Sequence, residues 1–126
     1  MKLHHIALVC RSEEHSDRFY RDLLGLEKQP ARDIPATMMN DIFGLTVPAA
    51  LINYTRDGLW FEIFIANVAE TTPVSHHCLV VPDRLSLVEK CRRLHLRVRE
   101  ISKPDGSSLV FIEDEDQNQF EIKETT

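Results

Sequence analysis

A chain of 126 residues, 43% hydrophobic and 28% charged, is long enough for one packed domain and too apolar for a disordered one. Its formal net charge of −5, with no basic stripe, argues against nucleic acid and against an anionic membrane surface as partners. No apolar run can span a bilayer, the first residues lack a signal-peptide core, and Cys10, Cys78 and Cys91 form no Cys-x-x-Cys pair, so a cytoplasmic protein with reduced thiols is expected.

Leu3 to Cys10 alternates as a strand that is largely apolar on both faces, with His5, Ala7 and Val9 on one of them. Ser12 then offers an N-cap to a helix carrying Glu13 and Glu14 in its first turn, and Phe19, Leu23 and Leu24, with Tyr20 beside them, form its apolar stripe. Gly25 ends that helix with a left-handed residue. Between residues 27 and 50, Pro30, Pro35 and Pro48 break any long element, and Met38 to Gly44 reads as a helical turn or a loop. That segment suits a lid over a pocket, but a core-filling excursion is the simpler reading. Ala49 to Tyr54 is a strand. Asp57-Gly58 turns the chain into Leu59 to Ile65, a strong strand with Glu62 at its centre between Trp60 and Phe64. A carboxylate there is costly unless it is paired, hydrogen-bonded or bound to metal.

A second histidine strand begins at His76. Asp83 follows His76 by seven residues, just as Ser12 follows His5. A helix from Leu85 to Leu94, with Leu85, Val88, Cys91 and Leu94 recurring on its inner face, is followed by an extended run from Leu96 and a turn at Lys103 to Gly106. Ser108 to Ile112 is the next strand, Glu113 to Asn118 an acidic turn, and Gln119 to Lys123 the final strand. Phe61-Glu62-Ile63 and Phe120-Glu121-Ile122 are the same tripeptide in the same place of each half. The separation of histidine and glutamate is 57 residues in the first half and 45 in the second, and the excess falls in the proline-containing excursion. The chain is therefore expected to hold two copies of one strand-helix-strands plan, residues 1–70 and 74–126.

The repeat selects between adjacent histidines. His76 takes the place of His5, whereas His77 takes that of Ile6 on the opposite face, so His4 and His77 are expected to point elsewhere. His5, Glu62, His76 and Glu121 then form a set of two imidazoles and two carboxylates. Such a set suits one divalent first-row ion, with nickel, cobalt, zinc, manganese and iron(II) all compatible. The ion would polarise a substrate carbonyl and stabilise an enediolate, while Glu62 or Glu121 moves a proton as general base.

Through these stretches the chain resembles the vicinal oxygen chelate superfamily of glyoxalase I, methylmalonyl-CoA epimerase, extradiol dioxygenases and fosfomycin- and bleomycin-resistance proteins. The matching stretches are His5 to Val9, Phe19 to Leu26, Phe61 to Ile63, His76 to Val81, and Phe111 to Ile122, essentially the whole chain. The resemblance implies an α+β fold of two βαβββ modules that form a cupped, barrel-like mixed sheet around a metal site, in a homodimer. It implies metal ligation by His5, Glu62, His76 and Glu121, the set most like that of bacterial glyoxalase I. That enzyme has arginine and asparagine for glutathione where this chain has Val9 and Ala66, and the usual Asp-Pro-Asp-Gly turn reads Asp114-Glu115-Asp116-Gln117 here.

The expected function is thus a glyoxalase-type lyase or isomerase acting on a small molecule with vicinal oxygens, in a pocket lined by Val9, Trp60, Phe64, Cys78 and Val80. Two alternatives stay open. His5, His76 and Glu121 alone would serve an iron(II) extradiol-type dioxygenase, and a drug-binding or resistance protein would use the same fold.

Overall fold

The computed structural model describes residues 4–69 and 76–125, with His76 described by its backbone. The chain divides into two compact units, Met1–Thr71 and Thr72–Thr126. In the first, strand β1 (Ile6–Cys10) leads to helix α1 (Glu13–Ser16), which continues without a break as a π-helix over Asp17–Leu23. Short strands β2 (Glu27–Lys28) and β3 (Arg32–Ile34), helix α2 (Ala36–Phe43) and the hairpin β4 (Ala49–Arg56) and β5 (Leu59–Ala66) complete it. The second unit runs β6 (His76–Val81), α3 (Arg84–Arg93), β7 (Arg97–Ser102), β8 (Ser108–Glu113) and β9 (Gln119–Glu124).

Each unit builds one open mixed sheet on the same βαβββ plan. The first has the order β1-β5-β4-β2, with β3 also on β4, and the second β6-β9-β8-β7. In both, the first strand lies parallel to the last, and the other pairings are antiparallel. A parallel neighbour requires a crossover, and α1 and α3 provide it. Neither sheet closes into a barrel. No helix among the described residues is long and apolar enough to cross a membrane.

Local chemistry explains the elements. Ser12 and Asp83 are extended caps whose side chains accept from the backbone N–H groups of His15 (3.3 Å) and Ser86 (2.9 Å). The first helix widens where Leu24 donates to the Phe19 carbonyl five residues back (2.9 Å). Phe19, Tyr20 and Leu23 are buried, with Tyr20 set against Tyr54 and Phe61 (ring centroids 5.6 and 5.3 Å). The Tyr54 hydroxyl donates to Asp17 (2.8 Å), which also receives Lys28 (3.0 Å). Burial, aided by that carboxylate, raises the Tyr54 pKa and keeps the phenol protonated. Gly25 (φ +73°) closes the helix, and a side chain there would also crowd Arg56, whose guanidinium donates to the Gly25 carbonyl (2.9 Å). Asp57 and Gly58, at φ 51° and 86°, form the tight turn expected between β4 and β5.

Met38 to Phe43 belongs to a true helix with one inward face, closed by Gly44 in the left-handed conformation. Met39 is fully buried in a cluster with Ile34, Leu51 and Phe64, against which Val9 and Phe43 also pack, while Met38 and Ile42 stay exposed. The excursion is thus core-filling at its inner face. In the second unit Val88, Cys91 and Leu96 are buried, but Leu85, expected on the inner stripe of α3, is 66% exposed because it lies in the helix's first turn. Burial pushes the Cys91 thiol up to about 11.

Candidate metal centre

Strand pairing decides where the four expected ligands stand. In the first unit Ala7 is paired with Glu62, and His5 lies two residues before Ala7. In the second, Cys78 is paired with Glu121, and His76 lies two residues before Cys78. The two halves have the same register. In each, the histidine precedes by one side-chain period the residue directly opposite the glutamate. Because side chains alternate along a strand, that offset puts a histidine and a glutamate position on one sheet face as diagonal neighbours.

The first half-site is fully described. His5 Nε2 stands 3.3 Å from Glu62 Oε2, and both side chains are partly exposed. Two ligands of one ion, each about 2.0–2.2 Å from it, sit roughly 3 Å apart, so this pair has the separation of a nitrogen–oxygen chelate. The other imidazole nitrogen, Nδ1, is 2.8 Å from His4 Nδ1. The His4 ring packs against Trp60 (4.7 Å), and the His5 ring lies 5.9 Å from the same indole. His4 therefore does not point away as expected. It turns back onto its neighbour, held between the His5 ring and the Trp60 indole. Ligating histidines commonly have their second nitrogen held by such an outer partner.

Asn53, which neither the repeat nor any motif singles out, lies opposite Glu62 in the β4–β5 ladder. Its Oδ1 accepts from Trp60 Nε1 (2.9 Å), which fixes the indole beside His5. The signal was present in the two-residue Asp57-Gly58 turn, because a tight hairpin determines which residues lie opposite one another.

In the second half-site Glu121 is 14% exposed, with Lys123 Nζ 4.0 Å away. Phe111 lies opposite Glu121, and the Arg99 guanidinium sits over the Phe111 ring (5.3 Å) and donates to Gln119. Glu113 accepts from Arg97 (3.4 Å) and forms an ion pair with Arg99 (3.5 Å). The acidic turn before Glu121 is held by Asp114, whose carboxylate accepts from the backbone of Asp116 and Asn118 (2.9 Å each) and from the Asn118 amide (2.7 Å). Gln117 there adopts φ +69°. His77 packs on Phe120 (5.6 Å), away from Glu121's face as expected.

Of the expected pocket residues, Trp60 lies beside His5, whereas Val9 and Phe64 pack into the Met39 cluster at the far end of Glu62's face. Phe64 is only 4% exposed, so it serves the core. Cys78 and Val80 are exposed on the open face of β6.

The profile of the Glyoxalase/Bleomycin resistance protein/Dioxygenase superfamily matches residues 2–122. The chain belongs to this superfamily. No curated protein matches it in sequence. Solved structures share the superfamily fold. The glyoxalase family protein from Enterococcus faecalis superposes with a TM-score of 0.71 at 15% identity, covering 96% of this chain and 95% of that one. The fosfomycin resistance protein FosX from Listeria monocytogenes gives 0.72 at 15% identity, covering 100% and 94%. FosX from Mesorhizobium loti gives 0.69 at 19%, covering 99% and 92%.

Proposed function

We propose that this member of the superfamily is a metal-dependent lyase or isomerase acting on a small molecule with vicinal oxygens. His5, Glu62, His76 and Glu121 would be the ligands of one divalent ion, two from each module, drawn from one chain or from two copies in a homodimer. The observation that carries this reading is the chelate-like His5–Glu62 pair, together with the same backbone register at His76 and Glu121. A bound divalent ion supplies Lewis-acid polarisation of the substrate's oxygens. The remaining work falls to the chain. His4 and Trp60 orient His5, Asn53 orients Trp60, and Glu62 or Glu121 takes the proton from the carbon beside the polarised oxygens and returns it.

A fosfomycin-resistance type of activity is the second reading. A mutant of the Listeria FosX was solved with Mn(II) and 1S,2S-dihydroxypropylphosphonic acid, a ligand with adjacent oxygens.

Metal titration of the purified chain tests the proposal. The wild type should bind one Ni, Co, Zn, Mn or Fe(II) ion per site. His5→Ala, His76→Ala, Glu62→Gln and Glu121→Gln should each weaken binding by more than the ~10–100-fold that loss of an outer partner costs. His5→Ala and His76→Ala chains, mixed with confirmed subunit exchange, should recover part of the sites if the ligands come from two copies. No binding by the wild type to any of these ions would leave a binding protein on the same fold.

A further inference from the structure

The β8–β9 ladder is short. It pairs only Phe111, Ile112 and Glu113 with Glu121, Phe120 and Gln119, whereas β7–β8 continues out to Ser102 and Ser108, and β6–β9 out to Val81 and Glu124. Beyond Glu121 the two strands part, and a cleft of about 400 Å³ lies between Ser108 and Lys123, under the β7–β8 turn. Three cationic residues line it, Arg84, Lys103 and Lys123, with Ser107, Ser108 and a single acidic residue, Glu121.

In a chain of net charge −5, three cations gathered around one carboxylate need a reason. Local pairing supplies one only for Lys123, whose ammonium stands 4.0 Å from Glu121. Neither the Arg84 guanidinium nor the Lys103 ammonium has an ion-pair partner among the described residues. The nearby Asp105 feels the Lys103 charge but is hydrogen-bonded within its own loop, accepting from the Ser107 backbone N–H (2.9 Å) and hydroxyl. Glu124 accepts from the Arg84 backbone rather than from its side chain (3.3 Å). An anion entering the cleft relieves the mutual repulsion, and guanidinium and ammonium donors suit carboxylate, phosphate or phosphonate oxygens. The volume fits a small molecule, and three cations in a concavity do not make a track for a polyanion.

We propose that this cleft holds the anionic head group, a carboxylate, phosphonate or phosphate, of the substrate. Glu121 belongs both to the cleft wall and to the second half-site, so a molecule seated by its head group presents its adjoining oxygens to that half-site. The link to catalysis rests on the function proposed above; anion binding by Arg84, Lys103 and Lys123 does not.

The test begins with the metal-free full chain, titrated with methylphosphonate at low salt and followed by backbone amide NMR. Shifts are expected at Ser108, Leu109 and Lys123. Arg84→Gln and Lys103→Gln should each weaken binding roughly fivefold, and together abolish it, with the remaining spectrum unchanged. The metal-loaded chain should then bind 1S,2S-dihydroxypropylphosphonate about tenfold more tightly than methylphosphonate, inorganic phosphate should show no such gain, and the gain should vanish on metal removal. No shifts in the wild type, or equal binding by the double variant, would overturn the proposal as an adventitious ion only. Metal that binds without any gain for the dihydroxy compound would make the cleft a free-anion site and likewise overturn it. Failure of metal to bind, with methylphosphonate binding still dependent on Lys103 and Arg84, would remove the proposed catalysis and uphold the cleft.

Discussion

The two modules share one frame and differ at one end of it. Both place a capped helix start seven residues after the key histidine, and both align the glutamate with the residue two positions beyond that histidine. They part company after the helix. The first module inserts β3 and α2, whose Met39 and Phe43 cover Phe64 at the far end of Glu62's face. The second has no such insertion, and its Val80 and Ile101 remain 61% and 42% exposed. Strand pairing thus sets the half-site, and an insertion can rebuild the far end without shifting the register. The surroundings differ too, with an amide, Asn53, opposite Glu62 and an aromatic ring, Phe111, opposite Glu121.

This contrast can be broken most severely at Met39. Met39→Ala should cost about 3 kcal/mol, measured by denaturant unfolding, because it empties a fully buried site. Val80→Ala, at an exposed position, should stay within about 0.5 kcal/mol. If the folded Met39→Ala chain also loses metal affinity, the insertion and the half-site are not separable.

Asp114→Ala comes next. It strips three hydrogen bonds from a buried turn and should cost about 2 kcal/mol, with the chemical shifts of Glu121 moving and those of Glu62 unchanged. The same turn holds a strained residue. Gln117→Gly should stabilise the chain by about 1 kcal/mol in thermal unfolding, since a left-handed conformation costs a residue with a Cβ. A loss instead would mean that the Gln117 side chain contributes more than the strain it carries.

The smallest effect separates the two helix caps. Hydrogen bonds from the Ser86 backbone and hydroxyl hold the Asp83 carboxyl below its ordinary value of 3.8. Its capping contribution is therefore complete above that value and is lost as pH falls through the lowered one. The Ser12 hydroxyl does not titrate. Hydrogen exchange at acid pH should show fraying at the start of α3 before the start of α1, and Asp83→Ser should remove the difference.

Outside residues 27–50, where β3 and α2 were not readable, the order of elements, both caps and the Asp57-Gly58 turn were legible in the sequence, because each is set by residues within a few positions of one another. Alternation and the repeat also singled out His5 with Glu62 and His76 with Glu121. Beyond that reach the residues gave no guide. His4 turns back onto His5 through the packing of Trp60, and the first helix widens where Tyr20 packs against Tyr54 and Phe61. Phe64 alternates correctly for a pocket wall, yet it lies in the core because a helix some twenty residues earlier in the chain covers it. The basic cleft depends on where β8 and β9 part, and it gathers Arg84, Lys103 and Lys123 from three separate segments. Local patterns fix periodicity and capping because their energies are local. Which side chains meet across strands is settled by pairing and packing, which only the folded chain brings about.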